Sequence, residues 1–268
     1  MKDMEIRFTG SVPASYDRLM VPLIFQPYAD ELARRATALR PKRILETAAG
    51  TGVVTQALHE ALPDAEIVAT DLNQPMLDVA RDRISVSNVR FQQADAQELP
   101  FDDCSFDLVV CQFGSMFFPD KVLGHSEARR VLREGGNYLL AIWDSIERNE
   151  ASAVAQRVLI DLFPEDPPLF LCEGPFGYSD SKRIDGDLRD AGFANVEIDT
   201  VQLRSRSPTA REAASALCYG TPMSVELEER EPGSLDRAFE QVERSLLAFE
   251  GPTGFDALLS AHIVTATR

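Results

Sequence analysis

The sequence predicts an α/β fold built on a doubly wound, mostly parallel sheet. Between residues 26 and 144, five short apolar segments with the character of strands alternate with segments of helical periodicity. Each apolar segment is nearly continuous, which is typical of parallel strands covered on both faces. A loop of small residues, 48–52, joins the first strand to a helix. A loop in that position is a common ligand-binding site in such sheets.

Apolar periodicity and turn residues place the individual elements. Pro41 ends the first helix, Asn73 and Asp120 are expected to cap two later helices, and Gly135–Gly136 is expected to end the second of these. Strands are predicted at 42–46, 66–70, 89–94, 106–113, 138–143, 195–203 and 262–266. Helices are predicted at 26–40, 53–61, 74–80, 120–133, 151–163, 180–191, 209–231 (irregular at Pro222) and 235–249.

Composition and charge exclude several classes of partner. Hydrophobic residues make up 44% of the 268 residues, enough for a buried core. With 27 basic and 43 acidic residues the net charge is −16, and no basic block is present, which argues against nucleic acid and against an anionic membrane surface. The longest apolar run, 138–143, is too short to span a membrane, and the charged N-terminus is not expected to be a signal peptide.

The four cysteines form no Cys-x-x-Cys pair. Reduced thiols and a cytoplasmic location are therefore expected, because disulfides are rare in that compartment. No metal site is expected from the sequence.

Polar residues end the first four predicted strands, at Glu46, Asp71, Asp95 and Gln112. These ends meet at one edge of a parallel sheet. Asp71 is placed to accept hydrogen bonds from a ribose diol, and Asp95 from an adenine amino group. Glu46 would repel a pyrophosphate but favour a cationic amino group, and the loop contains no Lys. The pattern suits a nucleoside without phosphate.

Several segments resemble the successive motifs of class I S-adenosylmethionine-dependent methyltransferases, and most of all the ubiquinone/menaquinone-biosynthesis type and its small-molecule relatives. They are Glu-Thr-Ala-Ala-Gly-Thr-Gly at 46–52, Asp71 after Ala-Thr, Ala-Asp-Ala-Gln-Glu-Leu-Pro-Phe at 94–101, Phe-Asp-Leu-Val-Val-Cys-Gln at 106–112, and Val-Leu-Arg-Glu-Gly-Gly at 131–136. The resemblance covers 26–144 well, and 191–193 and the final strand more loosely. It implies a Rossmann-like, seven-stranded sheet with an antiparallel last strand and helical cap insertions.

The chain shows no linker, repeat or low-complexity segment, so residues 1–268 are predicted to form a single methyltransferase domain. Residues 1–25, whose apolar side chains are interrupted by prolines, are interpreted as an N-terminal lid segment. Residues 26–144 are predicted to be the cofactor-binding core. Residues 145–190 and 205–255 are predicted to be helical insertions that form part of the substrate side.

The resemblance implies S-adenosylmethionine as the cofactor and S-adenosylhomocysteine as its product. Glu46 would orient the loop and the amino group of the methionine portion, Asp71 would hold the ribose, and Asp95 would meet the adenine amino group. The full set of implied cofactor-binding residues is Glu46, Ala48, Gly50, Gly52, Asp71, Leu72, Met76, Asp95, Ala96, Gln112 and Phe113.

Two residues depart from the family pattern. Ala48 stands where the family loop usually begins with Gly, and its methyl group is expected to be tolerated if this position has a negative φ. Glu46 stands where Asp is commoner. Neither departure removes a functional group, so cofactor binding is still expected.

Aromatic residues are candidates for the acceptor side of the site. The candidate substrate residues are Tyr16, Phe25, Met116, Phe117, Trp143, Phe176 and Tyr178. The alternative is helix packing for Met116 and Phe117, and a role as loop anchors for Tyr16, Phe25, Phe176 and Tyr178. Aromatic rings beside a sulfonium would stabilise its positive charge, and the candidates are Phe113, Phe117, Phe118, Tyr16 and Trp143. His125 is a candidate base, needed only if the acceptor loses a proton.

The predicted function is methyl transfer from S-adenosylmethionine to a small, partly apolar acceptor by in-line displacement. A nicotinamide-dependent oxidoreductase is one alternative, although Ala48, Gly50 and Val53 replace its Gly-x-Gly-x-x-Gly and no later Tyr-x-x-x-Lys is present. A module that binds the cofactor or its product without catalysis is the other. The acceptor, the methylated atom and the oligomeric state, monomer or homodimer, are left open.

Overall fold

The predicted strands pair into one mixed sheet in the computed structural model, which describes residues 15–268. The order is β3-β2-β1-β4-β5-β8-β6, and β7 pairs with β8. Pairing is parallel from β3 to β5, whereas β8 is antiparallel to both β5 and β6. The strands are β1 (Arg43–Glu46), β2 (Glu66–Asp71), β3 (Val89–Gln93), β4 (Phe106–Gln112), β5 (Leu132–Trp143), β6 (Asn195–Ser207), β7 (Glu250–Gly251) and β8 (Gly254–Thr267).

The predicted fold class is confirmed, with the two-residue strand β7 as an eighth member of the sheet. The central strands β1 and β4 are buried along their apolar runs, and Leu45 and Val109 are fully inaccessible to solvent. Continuous apolar runs are required here because helices cover both faces of the sheet.

Helices follow the strands as the periodicity predicts. They are α1 (Gln26–Leu39), α2 (Val53–Ala61), α3 (Gln74–Arg83), α4 (Lys121–Val131), α5 (Glu150–Leu162), α6 (Phe170–Glu173), α7 (Ser181–Asp190), α8 (Ala210–Tyr219), α9 (Met223–Arg230) and α10 (Ser234–Leu246).

Helix ends agree with the predicted caps in part. The Asp120 carboxylate caps α4 by accepting a hydrogen bond from the backbone N–H of Leu123 at 2.9 Å. Asn73 occupies the N-cap position of α3, but its side chain makes no capping hydrogen bond. Its amide instead lies 3.4 Å from the Asp71 carboxylate.

The prediction that Gly135–Gly136 ends a helix is wrong. Helix α4 ends at Val131, and both glycines lie inside β5, which begins at Leu132 rather than Tyr138. Gly135 has a φ of +75°, and a Cβ on Gly136 would lie 3.0 Å from the carbonyl oxygen of Asp107. The glycines therefore allow an irregular strand to approach β4, whose register shifts at this point.

The last two long strands extend beyond their predicted ends. β6 and β8 pair over thirteen residues, from Asn195 opposite Thr267 to Ser207 opposite Phe255. The second helical insertion consequently begins after Ser207 rather than at residue 205. Pro222 divides it, as predicted, by separating α8 from α9.

The segment predicted to be an N-terminal lid is helical where the structure describes it. Residues Tyr16–Phe25 form a π-helix that contains Pro22 and precedes α1 directly. Met20 of this helix packs on the end of α8, where a Cβ on Gly220 would lie 2.7 Å from its Cγ atom. Residues 1–14 of the predicted lid lie outside the described residues. No helix in 15–268 is long and apolar enough to cross a membrane.

Candidate functional site

Two cavities lie at the carboxyl edge of the parallel strands. The first, which we call the polar cavity, has a volume of about 290 Å³ including space open to solvent, and is lined by Tyr16, Phe25, Glu46, Ala48, Ala49, Gly50, Thr51, Val53, Val54 and Gln112. The second, the apolar cavity, has a volume of about 700 Å³ including space open to solvent, and is lined by Tyr16, Met20, Ile24, Phe25, Phe113, Met116, Phe117, Trp143, Asn149, Ser152, Phe170, Leu171, Pro175, Phe176, Leu217, Thr221, Pro222 and Leu259.

The loop between β1 and α2 is held by hydrogen bonds to both neighbouring strands. The backbone N–H of Thr47 donates to the carbonyl of Val110 in β4, and that of Ala49 donates to the carbonyl of Thr70 in β2, each at 2.9 Å. The N–H of Gly50 donates to the Asp71 carboxylate at 2.9 Å. The loop is thereby fixed at the edge of the sheet, beside the polar cavity.

Ala48 has a φ of +53°, so the condition of a negative φ set for its methyl group is not met. The left-handed conformation costs an L-residue about 1–2 kcal/mol, and glycine is the residue that adopts it freely. The methyl group faces Gly114, where an added Cβ would lie 2.4 Å from the Ala48 Cβ. The missing side chain at Gly114 thus makes room for the one at Ala48.

Glu46 is a buried acid at the end of β1 and lines the polar cavity. Its carboxylate accepts a hydrogen bond from the Thr55 hydroxyl at 2.5 Å. Burial raises the pKa of this carboxyl to about 8, with a further increase from the negative charge of Asp71 and an opposing effect of the Thr55 hydrogen bond. At neutral pH the group is therefore poised to ionise when a cation enters the cavity.

Two buried oxygen atoms of the polar cavity have no hydrogen-bond partner within residues 15–268. They are the Oε1 atom of Gln112 and the hydroxyl of Thr51. The amide nitrogen of Gln112 donates to the carbonyl of Phe25 at 3.2 Å, which leaves the oxygen as acceptor. Buried polar atoms are normally satisfied, so a ligand with hydrogen-bonding groups fits this cavity.

Asp71 anchors the site from β2. Its carboxylate accepts hydrogen bonds from the N–H groups of Gly50 and Asn73, at 2.9 Å and 2.8 Å. Burial raises the pKa of Asp71, and these hydrogen bonds oppose the increase. Its observed role is to hold the loop, and it does not line the polar cavity.

The structure brings together only some of the predicted cofactor-binding residues. Glu46, Ala48, Gly50 and Gln112 line the polar cavity, whereas the other residues lie outside its lining. The residues outside it are Gly52, Asp71, Leu72, Met76, Asp95, Ala96 and Phe113.

Local contacts explain several of the residues that lie outside the lining. Gly52 serves helix packing, because an added Cβ would lie 3.0 Å from the Cβ of Ala80. Leu72 is 61% exposed, whereas Met76 is buried beside Gly50. Asp95 accepts a hydrogen bond from the N–H of Gln97 in an exposed turn after β3.

Phe113 lines the apolar cavity and does not line the polar cavity. Its φ is +52°, an uncommon conformation for an aromatic residue. The ring stacks on Trp143 with 3.7 Å between centroids and 3° between planes. Tyr28 contacts both rings edge-on, at 5.3 Å and 5.5 Å. This stack forms a rigid aromatic wall, which offsets the backbone strain at Phe113.

Six of the seven candidate substrate residues line the apolar cavity, and Tyr178 does not. His125 lines neither cavity. Its Nε2 atom lies 3.4 Å from the Tyr178 hydroxyl, which donates to the Asp187 carboxylate at 2.8 Å. Burial lowers the pKa of His125 to about 4. The predicted base His125 and the predicted substrate residue Tyr178 therefore lie outside the lining of both cavities, where the Tyr178 hydroxyl lies between His125 of α4 and Asp187 of α7.

Sequence reasoning missed several lining residues. Thr51, Val53 and Val54 follow the glycine loop directly, so the motif itself could have indicated them. The apolar cavity also receives Leu171 from α6 and Leu217 from α8. Those insertions carry no recognisable motif, and only the pairing of distant elements brings them to the site.

The sheet order, the loop after β1 and the cavity beside it define a class I, Rossmann-like methyltransferase fold. A family model described as a methyltransferase domain matches residues 44–136. Among solved structures, the YcgJ protein of Bacillus subtilis has a TM-score of 0.59 at 18% identity, and the match covers 89% of this chain and 98% of that one.

Sequence comparison identifies the family within this fold class. The demethylmenaquinone methyltransferase of Clavibacter sepedonicus is 35% identical over 202 residues, covering 69% of this chain and 80% of that relative. That of Deinococcus radiodurans is 42% identical over 110 residues, covering 40% of this chain and 46% of that relative. The chain belongs to the UbiE-type family of S-adenosylmethionine-dependent methyltransferases.

Glu46 is expected to couple cofactor binding to proton release. A ligand with a cationic amino group favours the ionised carboxylate, so binding of S-adenosylhomocysteine should release a proton near pH 7. Its affinity should rise by up to about tenfold per pH unit between pH 6 and 8. Calorimetry in buffers of different ionisation enthalpy measures the released proton.

The variant Glu46→Gln is the matched control because it keeps the shape and cannot titrate. It should bind more weakly, with little dependence on pH. Equal proton release by the variant and the natural protein would contradict the role of Glu46. In the protein without ligand, folding raises the pKa of Glu46 from 4.5 to about 8. The contribution of Glu46 to folding stability is therefore present below about pH 4.5 and is lost as the pH rises to about 8.

Gly114→Ala should destabilise the protein by about 1–3 kcal/mol, because the new methyl group would overlap that of Ala48. The double variant Gly114→Ala/Ala48→Gly should recover more than half of the loss. Gly186→Ala is the control, since nothing lies within 4 Å of its added Cβ in α7. Urea unfolding measures the change in unfolding free energy for each variant. If the changes caused by Gly114→Ala and Ala48→Gly are strictly additive in the double variant, the contact between the two positions is contradicted.

Proposed function

We propose that the enzyme holds S-adenosylmethionine in the polar cavity and transfers its methyl group to an uncharged, ring-bearing small molecule in the apolar cavity. The observation that carries this proposal is that the two cavities share Tyr16 and Phe25 as wall residues. A polar site and an apolar site that adjoin in this way suit a polar donor and an apolar acceptor.

The polar cavity supports the cofactor half of the proposal. Glu46 would pair with the amino group of the methionine portion, while the unpartnered oxygens of Gln112 and Thr51 would accept hydrogen bonds from the ligand. Asp71 would hold the ribose hydroxyls at the end of β2, next to the Gly50 N–H that it already binds. Leu72, Met76, Asp95 and Ala96 would meet the adenine on the side of β2 and β3.

The lining of the apolar cavity supports an uncharged acceptor. Tyr16 is the one ionisable side chain among its lining residues in the described part of the chain. Charged acceptors would lose hydration there without gaining a partner. The relatives are named for demethylmenaquinone, which supports a quinone-type ring with an apolar substituent as the acceptor class.

The residues would act mainly by alignment and by exclusion of water. Bound S-adenosylmethionine supplies an activated methyl group on a sulfonium. The stacked rings of Phe113 and Trp143 would hold the acceptor ring, and the cap residues of α5, α6 and α8 would cover it. Burial and the nearby charges of Asp71 and Asp17 raise the pKa of Tyr16, so this phenol would stay neutral and not serve as a base.

Further features of the chain complete the proposal. Residues 1–268 would form one domain, with the segments 145–190 and 208–249 on the acceptor side. The free thiols and the acidic composition support a cytoplasmic enzyme without a nucleic-acid partner. The enzyme would act as a monomer or homodimer.

Ligand-dependent stability tests the cofactor half. S-adenosylhomocysteine at 100 times its dissociation constant should raise the free energy of unfolding by about 2.7 kcal/mol, and NADH should have no effect. Denaturant unfolding with each ligand gives the result. Stabilisation by NADH and not by S-adenosylhomocysteine would contradict the proposal.

Product formation tests the acceptor half. Incubation with S-adenosylmethionine and a short-tailed demethylmenaquinol should release S-adenosylhomocysteine, whereas the charged amine histamine should give only the background rate. Turnover with histamine and none with the quinol would show that the apolar cavity is not the acceptor site.

A further inference from the structure

Tyr16 and Phe25 form the boundary between the two cavities. Among the described residues they are the two that line both, and their rings stack with 5.0 Å between centroids and 29° between planes. A methyl group that moves from the polar cavity to the apolar cavity must pass this pair.

The other aromatic candidates lie elsewhere. Phe113, Phe117 and Trp143 line the apolar cavity alone, and Phe118 lines neither cavity. Of the sequence-based candidates for a ring beside the sulfonium, Tyr16 is therefore retained. Phe25 joins it as a second candidate.

Contacts on both sides hold the pair in place. The carbonyl of Phe25 accepts the hydrogen bond from Gln112, and its ring lies 5.8 Å from that of Phe113. Asp17, next to Tyr16, forms an ion pair with Arg83 at the end of α3. The π-helix is thus tied to the sheet and to the cofactor side, which limits movement of both rings.

We propose that Tyr16 and Phe25 are specificity residues: their stacked rings line the boundary between the cavities, and the aromatic surface that this stack turns toward the polar cavity favours the charged donor over its neutral product. This inference rests on the proposed function. In the transfer, the acceptor atom forms a bond to the methyl carbon while the carbon–sulfur bond breaks. The bonding pair stays on sulfur, which becomes a neutral thioether, and the proton displaced from the acceptor passes to water.

The attraction between ring and cation disappears when the sulfur becomes neutral. The pair therefore binds the donor more strongly than the product, which helps the product leave. The raised pKa of Tyr16 keeps its phenol neutral, so this preference should not change between pH 6 and 9.

Dissociation constants for S-adenosylmethionine and S-adenosylhomocysteine test the inference by calorimetry. Phe25→Leu and Tyr16→Leu should weaken binding of the donor by about 3- to 30-fold and binding of the product by less than about twofold. Tyr16→Phe keeps the ring and should keep the ratio of the two constants. Phe117→Leu, in the apolar cavity alone, should also leave that ratio unchanged.

Binding of the product reports on folding in every variant. If the variants weaken binding of both ligands equally, or change neither dissociation constant, the role of the pair is overturned while the proposed function stays intact. If the natural protein binds neither ligand, the proposed function itself fails.

Discussion

The hydrogen bonds that fix the loop between β1 and α2 determine the position of the whole site. Thr47 is bonded to β4 and Ala49 to β2, while the Asp71 carboxylate binds the N–H of Gly50. Because the loop is held on both sides, Ala48 keeps a left-handed conformation that an isolated alanine would avoid. The same arrangement places the buried Glu46 in the lining of the polar cavity, where desolvation raises its pKa to about 8 and a bound cation would favour the ionised form.

Among the described residues, a carboxyl group lines one of the two cavities and not the other. The polar cavity contains the carboxyl of Glu46 and two unpartnered oxygens, whereas the apolar cavity is closed by aromatic rings and by residues of the cap helices. Tyr16 and Phe25 separate them. This division lets a charged donor and an uncharged acceptor meet at one boundary, each in surroundings that suit its polarity.

The core and half of the site could be predicted from the sequence because their signals are local. Continuous apolar runs predict the parallel strands. Glu46 and Gln112 are predicted at the site because they are polar residues that end two of these strands. Gly135–Gly136 was misassigned because a helix stop and a strand irregularity use the same residue type. The backbone angle of Ala48 and the burial of His125 depend on tertiary packing. The apolar cavity depends on pairing between distant cap segments, which no local pattern encodes.

The most direct measurement is a crystal structure of the enzyme with S-adenosylhomocysteine. We expect the amino group of the ligand to pair with Glu46 and its sulfur to face the rings of Tyr16 and Phe25, at the opening to the apolar cavity. A ligand bound away from the loop 47–52, or with its sulfur turned from these two rings, would contradict this expectation.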